Sequence, residues 1–136
     1  MKVSMHTDGA ARGNPGQAGL GVVISAQDGR RLLELSEYLG STTNNIAEYR
    51  ALIRGLEEAK NLGAKEVEAF TDSELVARQI SGQYKVKSPG LLPLFQKAKV
   101  LLGGFSSAKV THVRREYNKE ADKLANLAID QQNSMS

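Results

Sequence analysis

Four carboxylic acids stand where a sequence reader expects an element to begin or end. Asp8 closes the apolar-alternating run "KVSMHTD", and Asp72 closes "EVEAFTD". Glu48 lies one turn into "TNNIAEYRALIRGLEEAKNLG", residues 43–63, and Asp122 lies in the first turn of "NKEADKLANLAID". Each has an ordinary explanation on its own. Asp72 before Ser73 could cap the helix that follows, Asp8 before Gly9 could shape a turn, and an acid in a first helical turn suits the macrodipole, which covers Asp122. Glu48 resists such treatment. Positions 48, 52, 55, 56 and 59 hold Glu, Leu, Gly, Leu and Ala, a strip at helical spacing that should meet a sheet. Unless the strip's end overhangs the core, Glu48 is a charge where the pattern asks for Ala or Leu, and an unpaired buried charge costs roughly several kcal/mol.

Carboxylates brought together repel and raise one another's pKa values unless cations lie between them. Hard divalent ions with oxygen ligands provide that neutralisation, and Mg²⁺ in particular keeps waters and takes phosphate oxygens. Two such ions ~3.5–4 Å apart make the arrangement that drives phosphodiester cleavage. A place among metal ligands would explain Glu48.

The elements that must position these acids follow from periodicity and punctuation. "KVSMHTD" reads as a strand, residues 9–19 ("GAARGNPGQAG") as a turn-rich loop, "LGVVIS" as a second strand, "DGR" as a hairpin turn and "RLLELSEYLG" as a third strand. The residue 43–63 helix ends on Gly63 at C′. "EVEAFTD" is a fourth strand, "SELVARQISG" a short helix capped by Ser73, "SPGLLPLFQKAKVLLGG" mostly helix, and "AKVTHVRR" a fifth strand. An amphipathic helix from Asn118, expected as its N-cap, closes the chain. The order β-β-β-α-β-α-α-β-α predicts an α/β fold, a mixed sheet covered by helices.

The 136 residues predict one domain, with residues 131–136 ("QQNSMS") as a loose tail. A composition of 40% hydrophobic and 24% charged residues is ordinary for a soluble protein. The absence of cysteine excludes disulfides and thiolate metal sites. "MKVSMHTDGA" has no signal-like apolar region and no run approaches a membrane span, so a cytoplasmic protein is expected. A net charge of +3 permits a nucleic-acid partner without requiring one.

The stretches "TDGAARGNPGQAGLG", "TNNIAEYRALIRGLEEA", "TDSELVARQISG" and "NKEADKLANLA", in that order and spanning about residues 7–128, resemble the type 1 ribonuclease H family. The resemblance is to the shorter, archaeal-like form. It implies a five-stranded mixed sheet flanked by helices, with Asp8, Glu48, Asp72 and Asp122 binding two Mg²⁺ ions, for which Mn²⁺ can substitute. It implies endonucleolytic hydrolysis of the RNA strand of RNA–DNA hybrids, leaving 5′-phosphate and 3′-hydroxyl ends, with Glu48 also meeting the ribose 2′-hydroxyl that separates RNA from DNA.

Asn14, Asn44 and Asn45 resemble the family's minor-groove contacts and Thr43 its phosphate-pocket threonine, at a helix start suited to an anion. Local roles compete: Asn14 could shape the turn, and Thr43 or Asn44 could cap the helix.

Two departures stand out. His112 lies ten residues before Asp122, the spacing of a mobile loop histidine in many bacterial members, but "VTHVRREYN" alternates like a strand. His112 is therefore expected in the strand, with Arg115 or Glu116 in the loop near the metals. The basic, Trp-rich protrusion of some members is also missing, since "QYKVKSPGLLPLF" is short and the chain has no Trp. Lys85 and Lys87, with Arg78, Arg114, Arg115 and Lys119, are candidates to replace its phosphate contacts. A hybrid-binding module without cleavage, and a nuclease of this fold acting also on double-stranded RNA, remain alternatives. A monomer is expected.

Overall fold

In the computed structural model, which describes residues 1–135, five strands and four helices follow the expected order. They are β1 (Lys2–Gly13), β2 (Gly16–Ala26), β3 (Arg31–Thr42), α1 (Asn44–Asn61), β4 (Glu66–Thr71), α2 (Glu74–Ile80), α3 (Leu92–Gly103), β5 (Ser107–His112) and α4 (Lys119–Ser134). A single 3₁₀ turn, Arg115–Tyr117, joins β5 to α4. The sheet order is β3-β2-β1-β4-β5, with β1–β2 and β2–β3 antiparallel and β1–β4 and β4–β5 parallel. The predicted mixed sheet is present, and β1 lies at its centre.

The predicted loop over residues 9–19 is corrected by the structure. β1 and β2 instead form one long hairpin, pairing from Val3↔Ala26 through Asp8↔Gly21 to Gly13↔Gly16. Gly13 and Gly16 do serve the turn, but Gly9 and Gly19, with Gly21 just beyond this stretch, serve packing. A Cβ at Gly9 would lie 2.2 Å from the Ala47 carbonyl carbon of α1, and one at Gly21 would lie 2.1 Å from the Ala121 carbonyl oxygen of α4. No real Cβ tolerates such distances, so these glycines let both helices rest almost directly on the sheet.

α1 buries the strip that its sequence pattern marks out. Glu48, Leu52, Gly55, Leu56 and Ala59 are all buried, and each large apolar side chain there contributes about 1.5–3 kcal/mol on burial. Gly55 sits over Met5 and Thr7 of β1. The helix begins at Thr43, whose hydroxyl accepts from the Ile46 N–H, and ends before Gly63 at φ +85°. Ser73 caps α2 in the same way, accepting from the Val76 N–H.

α4 departs from expectation at both ends. Asn118 precedes the helix, but its side chain makes no cap; Nδ2 donates to the Thr7 carbonyl of β1 at 3.0 Å, fully buried. The expected loose tail from residue 131 is instead helical through Ser134, with Gln17 of β2 donating to Asn133 Oδ1 at 2.8 Å. Polar composition marked that segment as unstructured, yet a helix already docked on the sheet extends at little cost. Among the described residues, no helix is long and apolar enough to cross a membrane.

Candidate active site

β1 runs beside β4 in parallel, with Thr7 opposite Thr71. The residues that follow these two threonines, Asp8 and Asp72, therefore sit side by side at one end of the sheet. α1 crosses β1 over Gly9, so Glu48 descends onto Asp8. α4 crosses β2 over Gly21, the pairing partner of Asp8, and Asp122 follows Ala121 there. All four acids line one cleft of about 360 Å³, together with Gly9, Asn44, Ser73, Arg115 and Asn126. Carboxylate oxygens of Asp8, Glu48 and Asp72 lie within 4.8 Å of one another. Asp122 is placed to hydrogen-bond with a protonated Asp8.

The electrostatics of this group are strained. Asp8 is 3% exposed and Glu48 5%. Burial pushes the pKa of Asp8 far above the carboxylate range, and the charges of Glu48 and Asp72 push it further. Burial likewise raises Glu48, opposed by the Gly9 N–H that donates to its Oε1 at 2.8 Å. Among the described residues no lysine or arginine forms an ion pair with any of the four. An acidic, oxygen-rich cleft with that unmet repulsion suits a hard divalent cation. The donor set and its burial fit such a group.

Of the other sequence-derived candidates, only Asn44 and Arg115 line the cleft among the described residues. Asn44 lines the cleft, and its backbone N–H donates to Asn14 Oδ1 at 3.0 Å, docking the hairpin tip on the start of α1. Thr43 acts as the N-cap of α1, the local role that competed with anion binding. Asn45 is exposed on the first turn. His112 ends β5 opposite Thr71 and lies outside the cleft, a strand residue as expected, while Arg115 of the 3₁₀ turn lines it. Glu116 faces a different cavity beside His6. Lys85 and Lys87 are exposed on the connection between α2 and α3, and Arg78 is engaged by Glu74 at 2.9 Å and by the Tyr84 ring.

Sequence reasoning missed Asn126. Its Nδ2 donates to the Asp122 carbonyl at 3.0 Å and to Asp122 Oδ1 at 3.3 Å. The i,i+4 spacing from Asp122 was the available signal.

Known proteins share this architecture. A family model described as "Reverse transcriptase-like" matches residues 6–128. A bifunctional protein of Mycobacterium tuberculosis is 47% identical over 96% of this chain, which spans 36% of that protein's length. Ribonuclease HI of Halobacterium salinarum is 43% identical over 95% of the chain, which spans 65% of its length. The chain thus covers less than two thirds of these relatives. The crystal structure of RNase H1 from the same archaeon superposes with a TM-score of 0.94 at 42% identity, covering 96% of this chain and 99% of that one. LC11-RNase H1, solved in complex with an RNA/DNA hybrid, gives 0.91 at 46% identity, covering 98% and 99%. With the family's sheet order, and matches at such identity running nearly end to end, the chain belongs to the type 1 ribonuclease H family.

Proposed function

We propose that this chain is a metal-dependent endoribonuclease that hydrolyses the RNA strand of RNA–DNA hybrids, with its ribonuclease H domain in residues 1–130. The observation that carries the reading is the convergence of Asp8, Glu48, Asp72 and Asp122 from four separate elements into one cleft, with no basic side chain among the described residues paired to any of them. The likeness to LC11-RNase H1, a protein solved with a hybrid, supports the substrate class.

Asp8, Glu48, Asp72 and Asp122 would hold two Mg²⁺ ions, or Mn²⁺ in their place. When bound, such a pair polarises the scissile phosphate, lowers the pKa of the attacking water and stabilises the departing 3′-oxygen. The chain's own residues do the rest. Asp8, at the centre of the group, is held on the sheet's middle strand and cannot drift from the cluster. Glu48, fixed through the Gly9 N–H, leaves its second oxygen for a cation or the ribose 2′-hydroxyl, a group DNA lacks. Arg115 at the cleft wall offers a permanent positive charge to a backbone phosphate. Asn14, Asn44 and Asn45 at the joined hairpin tip and helix start would meet the minor groove, with Thr43 beside a phosphate. Water adds to phosphorus, the bond to the 3′-oxygen breaks, and that oxygen takes up a proton, leaving 5′-phosphate and 3′-hydroxyl ends.

The reading takes the chain as a cytoplasmic monomer. Its exposed large apolar side chains, among them Leu62, Tyr84, Val100 and Tyr117, are scattered over different elements, and it has no cysteine to oxidise. The test is cleavage of end-labelled RNA–DNA hybrid, double-stranded RNA and double-stranded DNA side by side, with Mg²⁺ and with EDTA. Cleavage of the hybrid's RNA strand only when Mg²⁺ is present is expected. Hybrid binding without cleavage would contradict the proposal, and equal cleavage of double-stranded RNA would widen the substrate class.

A further inference from the structure

We propose that Asn126 is a positioning residue for Asp122 and that Arg12 fixes its orientation. The proposal rests on the reading of Asp122 as a functional carboxylate.

The four acids are not held alike. Asp8 lies within the central strand, Asp72 directly follows β4, and Glu48 is fixed by the Gly9 N–H. Asp122, carried on a helix like Glu48 and half-buried like Asp72, differs in that its oxygens lie outside the tight group formed by the other three. Its hydrogen-bond partner is Asn126, one helical turn on, whose Nδ2 meets both the Asp122 carbonyl at 3.0 Å and Oδ1 at 3.3 Å.

An asparagine amide can turn over, and only one orientation helps Asp122. Arg12 settles which. Its Nη2 lies 3.2 Å from Asn126 Oδ1 and 3.5 Å from the Asn126 carbonyl. A guanidinium only donates, so the amide oxygen must face Arg12 and the NH₂ must face Asp122. Arg12 is steadied in turn by Asp130, at 2.8 Å from its Nη1. Arg12 also lies on β1, four residues beyond Asp8. The chain of contacts therefore ties the strand of the first acid to the side chain of the fourth. A side-chain bond within one helical turn needs no third residue if it serves the helix alone. Recruitment of an arginine 114 positions away points to a role in setting the carboxylate.

The test compares Asn126→Ala, Asn126→Asp, Arg12→Ala and Asp130→Ala with the parent. Mg²⁺ affinity is measured by calorimetry on substrate-free protein, and kcat and KM are measured on labelled hybrid. Losing a partner that orients a metal ligand typically weakens binding or turnover by about 10- to 100-fold. Asn126→Ala is expected to lose Mg²⁺ affinity and kcat in that range while KM for the hybrid stays near the parent's. Asn126→Asp, of equal size but unable to donate, should lose at least as much. Arg12→Ala should show a smaller loss of Mg²⁺ affinity. Asp130→Ala, which removes the ion pair that steadies Arg12, should lose no more than Arg12→Ala. Asn126→Ala binding Mg²⁺ like the parent would overturn the proposal, as would Arg12→Ala binding Mg²⁺ like the parent. A parent that does not cleave hybrid would overturn the proposed function instead, and the Mg²⁺ titrations would still decide the positioning role.

Discussion

The backbone N–H of Gly9 donates to Glu48 Oε1 at 2.8 Å, so the residue that follows the first acid holds the second. Gly9 has to be glycine for this to happen, because a side chain there would occupy the backbone of Ala47. The same contact that lets α1 sink onto β1 therefore also brings a carboxylate down beside Asp8. Burial and mutual repulsion raise both pKa values, and that has a consequence for stability. In the unfolded chain both groups ionise near pH 4, roughly. In the folded protein they keep protons to higher pH. Above about pH 4 the folded state binds more protons than the unfolded one, so stability without metal falls as pH rises. In EDTA the melting temperature is expected to drop between pH 5 and pH 8, and Mg²⁺ is expected to raise it more at pH 8 than at pH 5. A melting temperature in EDTA that rises over that interval would contradict this account of the site.

Charge removal should separate function from fold. Asp8→Asn and Glu48→Gln keep size and one acceptor oxygen, the other becoming an NH₂ donor, while relieving repulsion. Both variants should melt higher than the parent in EDTA and gain less from Mg²⁺. Hybrid cleavage should fall by at least about 100-fold, the upper end for loss of a metal-site partner. Thermal melts and the labelled-hybrid assay, run on the same preparations, check both halves.

The glycines under the helices give a purely steric prediction. A Cβ at Gly21 would meet the Ala121 carbonyl oxygen at 2.1 Å and the Ala125 nitrogen at 2.8 Å. Neither backbone can yield without lifting α4, and with it Asp122. Gly21→Ala should lose about 3 kcal/mol or more, the upper range for overpacking, together with cleavage. Gly103→Ala is the control, since nothing lies within 4 Å of its Cβ position. That substitution should be neutral or stabilising by up to about 1 kcal/mol. Urea unfolding measures both.

Beneath the site, Tyr49 and Gln79 form a buried polar pair between α1 and α2, the tyrosine hydroxyl donating to the amide oxygen. Gln79 Nε2 reaches on to the Lys85 carbonyl at 3.4 Å. Tyr49→Phe leaves the Gln79 oxygen buried without a donor and should cost about 1–3 kcal/mol. Combining Tyr49→Phe with Gln79→Leu in one protein should recover part of that loss. Additive losses in urea unfolding would show that the two side chains are not coupled.

Much of this was legible in the sequence, for reasons particular residues make plain. Thr43 and Ser73 announce their helices because capping is local chemistry. The strip from Glu48 to Ala59 announces its buried face because helical spacing is local geometry. Glu48 then stands out as an acid in an apolar pattern. What stayed hidden depends on distant partners. Gly9 looks like a turn residue and Gly21 like an ordinary strand residue until α1 and α4 are laid over them. Asn118 looks like a cap, but its amide is claimed by Thr7, 111 positions away. The polar end of α4 looks loose until β2 lies beside it. Asn126 was within reach through its spacing from Asp122, but its tie to Arg12 requires the folded chain.

The central claim is that the four acids share a pair of divalent cations, and anomalous diffraction tests it most directly. Crystals of the protein with an RNA–DNA hybrid and Mn²⁺ should show two anomalous peaks about 4 Å apart, enclosed by Asp8, Glu48, Asp72 and Asp122. Hybrid bound across the cleft with no Mn²⁺ peak among those side chains would contradict it.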